Sequence, residues 1–309
     1  MELRRFAGPA VHAQQLDHLR LAHLTDLHIG RVTPMAVQHE AVRLTNEAKP
    51  DLVVITGDFV CHSQLYLDAL TEVVSGFDAP VVCSLGNHDY WSGAGEVRRA
   101  LHRAGALVLD NAHSVLELGH QRLQVLGLDD AYTGHADRER ALRGLRKDLP
   151  VIALSHIGEE ADGLWAGGVP LVLSGHTHAG QVTLARLHEL AVGRIAGHRY
   201  VHGLYGTRAL PPDDSRSTRG ALYVGAGIGA AVLPLRLGER GRREIALFEL
   251  GVTPGSFDEH HGEQPPLVGR TPKESKLYAR AAAVVKKHQK REKRHARRAR
   301  RLARRTDSE

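Results

Sequence analysis

Four short segments place acid, amide and imidazole side chains directly after an apolar run. They are LAHLTDLHIG with Asp26 and His28, LVVITGDFV with Asp58, VVCSLGNHDYW with Asn87 and His88, and the pair IALSHIG and LVLSGHTHAG with His156, His176 and His178. Imidazole and carboxylate together suit Zn, Mn or Fe, and no thiolate is needed. A carboxylate such as Asp58 has two oxygens and can bridge two ions. Two ions roughly 3.5–4 Å apart form a clamp for in-line displacement at phosphorus. Residues i and i+2 of extended chain point to the same side. That spacing lets Asp26 and His28 reach one ion together, and it lets His176 and His178 reach one site. A single histidine after a strand is more often a hydrogen-bonded loop residue than a ligand. Eight such residues at strand ends are what point to a metal centre.

These residues need elements that bring strand ends together. LRLAHL (19–24), LVVIT (52–56) and PVVCSL (80–85) read as buried strands, and 35–48, 63–76 and 95–105 read as helices. Strand–helix–strand repetition predicts parallel strands with right-handed crossovers. After residue 106 the runs ALVLD, SVLEL and RLQVLGL are short and turn-separated. VIALS (151–155), VPLVLS (169–174), ALYVGAG (221–227) and EIALFEL (244–250) then return to buried-strand character. The pattern predicts two sheets face to face with helices outside. In open α/β sheets, functional groups gather at the carboxyl ends of strands, where all four segments lie.

The 309 residues, 42% hydrophobic, suffice for one large domain. No apolar run approaches the roughly 18–20 residues of a membrane span, and the first twenty residues lack the apolar centre of a secretory signal. Cys61 and Cys83 give no disulfide framework, so cytoplasmic residence is the expectation. The net charge of +6 is unevenly spread. Residues 270–309 hold 16 Lys and Arg against 4 Asp and Glu, which leaves the rest at 25 basic against 31 acidic. The expected division is a catalytic domain at 1–251, a linker at 252–271 and a basic, disordered or partly helical tail at 272–309. That tail could meet anionic lipid headgroups or nucleic-acid phosphates, or simply stay solvated.

The ordered set D-x-H (26–28), G-D (57–58), G-N-H-D (86–89), a lone His156 and G-H-T-H (175–178) resembles the calcineurin-like metallophosphoesterases. Finer strings, LGNHDYW, LSGHTHAGQ, YVHGLYG, YVGAGIG and PLRLG, are similar to small bacterial phosphodiesterases, a branch that includes UDP-2,3-diacylglucosamine pyrophosphatases. Three places depart from that pattern: Ala179 stands where a glycine is commoner, the His156 segment reads LSHIGEEAD and not the HNP or HQP type, and RREI opens the last strand where a Pro-Glu pair is commoner.

The resemblance implies an α/β fold, a four-layer α/β/β/α sandwich of two mixed sheets with the metals at the sheet edge. It implies that Asp26, His28 and His178 hold one metal, that Asn87, His156 and His176 hold a second, and that Asp58 bridges. His88, oriented by Asp89 or a backbone group, would face the substrate phosphate. Tyr90 and Trp91 would line the substrate mouth. The expected chemistry is attack of a metal-bridging hydroxide on a phosphodiester or pyrophosphate, with a UDP-linked lipid as one candidate substrate. A phosphomonoesterase or protein phosphatase of the same family and a non-catalytic metal scaffold with a nucleic-acid-binding tail are the alternatives. Gly225, Gly227 and Gly229 do not fit a dinucleotide fingerprint and read as a tight backbone passage near the site. Cys61, His62, His39, His102 and His288 read as ordinary loop or surface residues.

Overall fold

A computed structural model describes residues 1–61, 63–180, 197–210, 220–230, 236 and 241–267. The first sheet contains β1 (Glu2–Ala7), β2 (Leu19–Leu24), β3 (Leu52–Thr56), β4 (Val81–Ser84), β5 (Leu107–Val108) and β12 (Glu244–Leu250), in the order β1-β12-β2-β3-β4-β5. The second contains β6 (Ala112–Leu118), β7 (Gln121–Leu128), β8 (Val151–Ser155), β9 (Leu171–Ser174), β10 (Gly203–Gly206) and β11 (Ala221–Val224), in the order β10-β11-β9-β8-β7-β6. Both are mixed. The β12–β2 pair is antiparallel in the first sheet, and the β6–β7 and β10–β11 pairs are antiparallel in the second.

Period-two alternation builds the layers. Along β3, Leu52 and Val54 face the second sheet, while Val53 and Ile55 face helices. Along β8, Ile152 and Leu154 enter the same inter-sheet core, and Val151 and Ala153 face outward. Both faces of these strands are covered, which is why they read as continuous apolar runs. The helices α1 (Met35–Glu47), α2 (Leu67–Ser75) and α4 (Ala94–Arg103) cover the first sheet. A thinner layer of α5 (Arg138–Leu142) and α6 (Ala161–Ala166) covers the second. The result is the four-layer α/β/β/α sandwich.

Three elements differ from the sequence expectation. The chain opens with β1, whose alternating charges mask it, because Arg4 is buried against Glu244 at 2.9 Å. NHDYWS, given no element from the sequence, is a helix, α3 (Asn87–Ser92), and YVHGLYG supplies the edge strand β10. The stretch expected as a linker is packed through Leu267. Glu259 accepts from the Ala7 N–H at 2.8 Å and pairs with Arg208 at 2.7 Å, and Gln264 N–H donates to Leu204 at 2.9 Å. His261 sits edge-on to Phe6 with ring centroids 5.0 Å apart. The basic tail, His62, His288 and residues 268–271 lie outside the described residues. Among the described residues no helix is long and apolar enough to cross a membrane.

Candidate metal centre

The loops after β2, β3 and β4 meet those after β8 and β9 at one edge of the sandwich. Asp26, His28 and His178 present one ligand atom each within 4.8 Å of one another, and Asp58, His156 and His176 do the same. Each group therefore takes side chains from both sheets. The extended-chain argument from the i, i+2 spacing is not how this happens. Asp26, His28, Asp58, His176, His178 and Ala179 all have φ between 42° and 73°, the left-handed region. Only two other non-glycine residues among those described share it, Lys49 and Asn111. Such conformations cost of order 1–3 kcal/mol each and persist where the surroundings enforce them. The tight turns let His176 join one group and His178 the other.

Both carboxylates divide their oxygens in the same way. Asp26 Oδ2 accepts from Thr25 Oγ1 at 2.8 Å and from the His176 N–H at 3.0 Å. Its Oδ1 is buried with no hydrogen-bond donor among the described residues, 3.3 Å from His178 Nε2 and 3.7 Å from His28 Nε2. Asp58 Oδ1 accepts from the His88 N–H at 2.8 Å. Its Oδ2 lies 3.5 Å from His28 Nε2 and 3.3 Å from His156 Nε2, between the two groups. In each, one oxygen is aimed by a hydrogen bond and the other faces the imidazoles: Asp26 Oδ1 has no donor among the described residues, and Asp58 Oδ2 lies against His156 Nε2. His156 Nδ1 donates to the Thr56 carbonyl at 2.7 Å, which turns Nε2 inward. Asn87 opens α3 next to Gly86, and its Oδ1 is buried without a hydrogen-bond donor among the described residues. Glycine is required at 86, since a Cβ there would stand 2.6 Å from Asp58 N and 2.9 Å from His156 Nε2.

The electrostatics separate the imidazoles. Burial holds His28 and His176 well below their ordinary range and brings His178 to about 3, so all three are neutral bases. Burial also opposes charge on His156, but the Asp58 carboxylate outweighs it and draws His156 up to about 10. Neutral imidazoles and carboxylate oxygens crowded at 2.9–3.7 Å, with Asp26 Oδ1 and Asn87 Oδ1 buried and lacking donors among the described residues, fit metal ions.

The remaining site residues fall in different places. The His88 ring stands edge-on to His28 and tilted against Trp91, with centroids 4.6 Å apart in both pairs, and Nε2 is 4.0 Å from Asp58 Oδ2. Asp89 does not orient that ring. Its carboxylate accepts the N–H groups of Gly86 at 2.9 Å, Phe59 at 2.8 Å and Val60 at 3.3 Å, tying the two loops together. Tyr90 is not at the mouth either. Its hydroxyl donates to Asp129 at 2.6 Å, and its ring stacks on His135 with centroids 3.9 Å apart. Tyr132 stands nearer the candidate ligands, 6.1 Å from the Trp91 ring and 5.0 Å from that of His176. Nothing in its local sequence marks it, since it arrives from the loop after β7. Cys61, expected as an ordinary loop residue, lies with His28 and His88 within the same 4.8 Å limit. Arg236 was also missed; its guanidinium reaches the Ala226 carbonyl at 2.7 Å, the Gly229 carbonyl and His178 Nδ1 at 3.4 Å. The glycine-rich passage is the seat of the first group. Gly229 N–H donates to the Asp26 carbonyl at 2.7 Å, and Gly227, at φ 78°, abuts the Asp26 Cβ.

The profile of the calcineurin-like phosphoesterases matches residues 19–180, which carry every candidate ligand. The chain belongs to that family. It is a metal-dependent phosphoric ester hydrolase. It is 30% identical over 243 residues to the Bacillus subtilis metallophosphoesterase YkuE, covering 77% of this chain and 80% of that protein. It is 28% identical over 239 residues to the Escherichia coli phosphodiesterase YaeI, covering 75% and 82%. It is 26% identical over 267 residues to the Chlamydia trachomatis UDP-2,3-diacylglucosamine pyrophosphatase LpxG, covering 69% and 79%.

Proposed function

We infer that the chain cleaves a phosphodiester or pyrophosphate bond at a two-metal centre. Asp26, His28 and His178 would hold the first ion, Asn87, His156 and His176 would hold the second, and Asp58 would serve both. The observation that carries this reading is the position of Asp58 Oδ2, 3.5 Å from a nitrogen of one group and 3.3 Å from a nitrogen of the other. Bound ions supply Lewis acidity toward phosphoryl oxygens and lower the pKa of water. Mn, Fe or Zn all suit the donor set.

The chain's own residues do the rest. Thr25 and the His176 N–H aim Asp26, the His88 N–H aims Asp58, and Thr56 aims His156. His88 contacts the substrate phosphate from the first-group side. Asp89 acts as a brace for the loops that carry Asp58 and His88. Trp91 and Tyr132 form the rim that receives the substrate's organic part. The likeness to YaeI and LpxG supports a diester or pyrophosphate over a monoester, with a UDP-linked lipid as a candidate. A basic tail at 272–309 suits the anionic face of a membrane, where a cytoplasmic enzyme would meet such a lipid.

The test is a panel of bis-p-nitrophenyl phosphate, p-nitrophenyl phosphate, nucleotide pyrophosphates and UDP-linked lipid on metal-loaded protein, with elemental analysis alongside. Diester or pyrophosphate turnover above monoester turnover is expected. A monoester preference moves the assignment to a phosphatase, and inactivity with every metal would favour the scaffold.

A further inference from the structure

One more imidazole borders the centre, and none of the roles above uses it. His198 precedes β10 and is 8% exposed. Its ring lies against that of His176, with centroids 5.1 Å apart and planes at 66°. This repeats, on the second group, what His88 does to His28 on the first. Its Nδ1 faces both carboxylate oxygens of Glu159 at 3.3 Å. Glu159 also accepts the Arg199 N–H at 2.9 Å, which fixes the chain on either side of the ring. That carboxylate belongs to the single turn Gly158–Glu160, directly after His156. One loop thus delivers a candidate ligand and the group that holds the outer imidazole.

The tautomer follows from this partner. A carboxylate only accepts, so Nδ1 carries a proton, and in the neutral ring Nε2 is the nitrogen left as an acceptor. Burial pushes the Glu159 carboxyl up, but the hydrogen bonds it accepts from His198 and the Arg199 N–H act against this and the net shift is downward, in keeping with an ionised acceptor. Nε2 receives no hydrogen bond from a described residue. A lone pair beside a phosphoester site is matched by an O–H donor and not by a bare phosphate oxygen.

We propose that His198, held in place by Glu159, contacts the substrate by accepting a hydrogen bond from a hydroxyl on one arm of the diester. This rests on the reading of the centre given above. It narrows the substrate to phosphodiesters or pyrophosphates with a hydroxylated arm, such as a sugar or glycerol, and makes Glu159 a positioning residue.

Two chromogenic diesters with the same p-nitrophenolate leaving group test it: bis-p-nitrophenyl phosphate, which has no hydroxyl, and the p-nitrophenyl ester of thymidine 5′-phosphate, which has one on its sugar. His198→Phe keeps a ring against His176 and removes the acceptor. The ratio of kcat/KM for the thymidine ester to that for the aryl ester falls roughly three- to tenfold, the worth of one hydrogen bond. Glu159→Gln moves the ratio the same way by less, and adding it to His198→Phe lowers the ratio no further. An unchanged ratio, or a further loss in the double variant, overturns the proposal. If the wild type cleaves neither ester, the diesterase reading fails on its own. The inference is then read from the ¹⁵N resonances of the zinc-loaded protein, identified with His198→Phe. Thymidine 5′-phosphate should shift the His198 Nε2 signal and methyl phosphate should not, and equal responses to both contradict it.

Discussion

The two halves of the candidate centre use similar ligands but are held in different ways. All three candidate ligands of the first half, Asp26, His28 and His178, sit on left-handed backbone. Their support comes from outside, from the glycine passage under Asp26 and the Arg236 guanidinium at His178. In the second half, His176 shares that conformation, but Asn87 begins a helix and His156 follows a strand. Their support is local hydrogen bonding: the Thr56 carbonyl on His156 and the Asp89 clamp beside Asn87. The first half adds left-handed backbone and a packed glycine passage to the hydrogen bonds from Thr25 and the His176 N–H that aim Asp26, and the second relies mainly on oriented donors and acceptors. Only Asp58 belongs to both.

That distinction can be broken at its shared point. Asp58→Asn removes the charge that faces both groups, and loss of both metals with abolished turnover is expected in elemental analysis and diesterase assays. His88→Asn should keep both metals and slow turnover by roughly 10²–10⁴-fold; full activity in a diester assay would remove His88 from its role. Asn87→Ala and Gly227→Ala should separate the halves. Each should weaken one ion by about 10–100-fold, the second for Asn87 and the first for Gly227, whose added Cβ would meet the Asp26 Cβ at 2.8 Å. Metal titration followed by calorimetry reads which ion is lost.

Smaller effects sharpen the first half. Glu244 accepts the Ala226 N–H at 2.8 Å, holding the glycine passage, and also binds the Tyr223 hydroxyl at 2.8 Å and His202 at 3.1 Å. Burial disfavours its charge, but His202, Arg4 and the Ala226 N–H outweigh it and bring the carboxyl from 4.5 to about 2. A depressed carboxyl stabilises the fold above its unfolded pKa and loses that contribution as pH falls through the folded value. Glu244→Gln should therefore cost roughly 3 kcal/mol at neutral pH, and the gap to wild type in urea unfolding should close between pH 4.5 and about 2. Ala179→Gly relieves a φ of 51°. Left-handed alanine costs about 1–2 kcal/mol and glycine's extra chain entropy offsets part of it, so a gain of up to about 1 kcal/mol in thermal unfolding is expected.

Much of the scaffold was legible because buried strands write themselves as apolar runs. β2, β3, β8 and β12 begin and end where LRLAHL, LVVIT, VIALS and EIALFEL do. β1 was not, because Arg4 is buried by a partner some 240 residues away, and no local pattern records that pairing. In the site, the residues with ligand chemistry announced themselves by type and order. The backbone that carries them did not, since the spacing argued for extended chain and the turns are left-handed. Tyr132 and His198 were invisible for a third reason. Each reaches the centre by tertiary packing from a loop whose own sequence carries no metal or phosphate signature. Arg236 lies within PLRLG, a string that pointed to the family but not to this residue's place at His178.

The most direct test of the account is to locate metals in the purified protein by anomalous diffraction, with elemental analysis of wild type and Asp58→Asn. Two ions per chain are expected, one in each group with Asp58 between them, and both are expected to be lost in the variant. A single ion in an active wild-type enzyme, or two ions retained without Asp58, would contradict it.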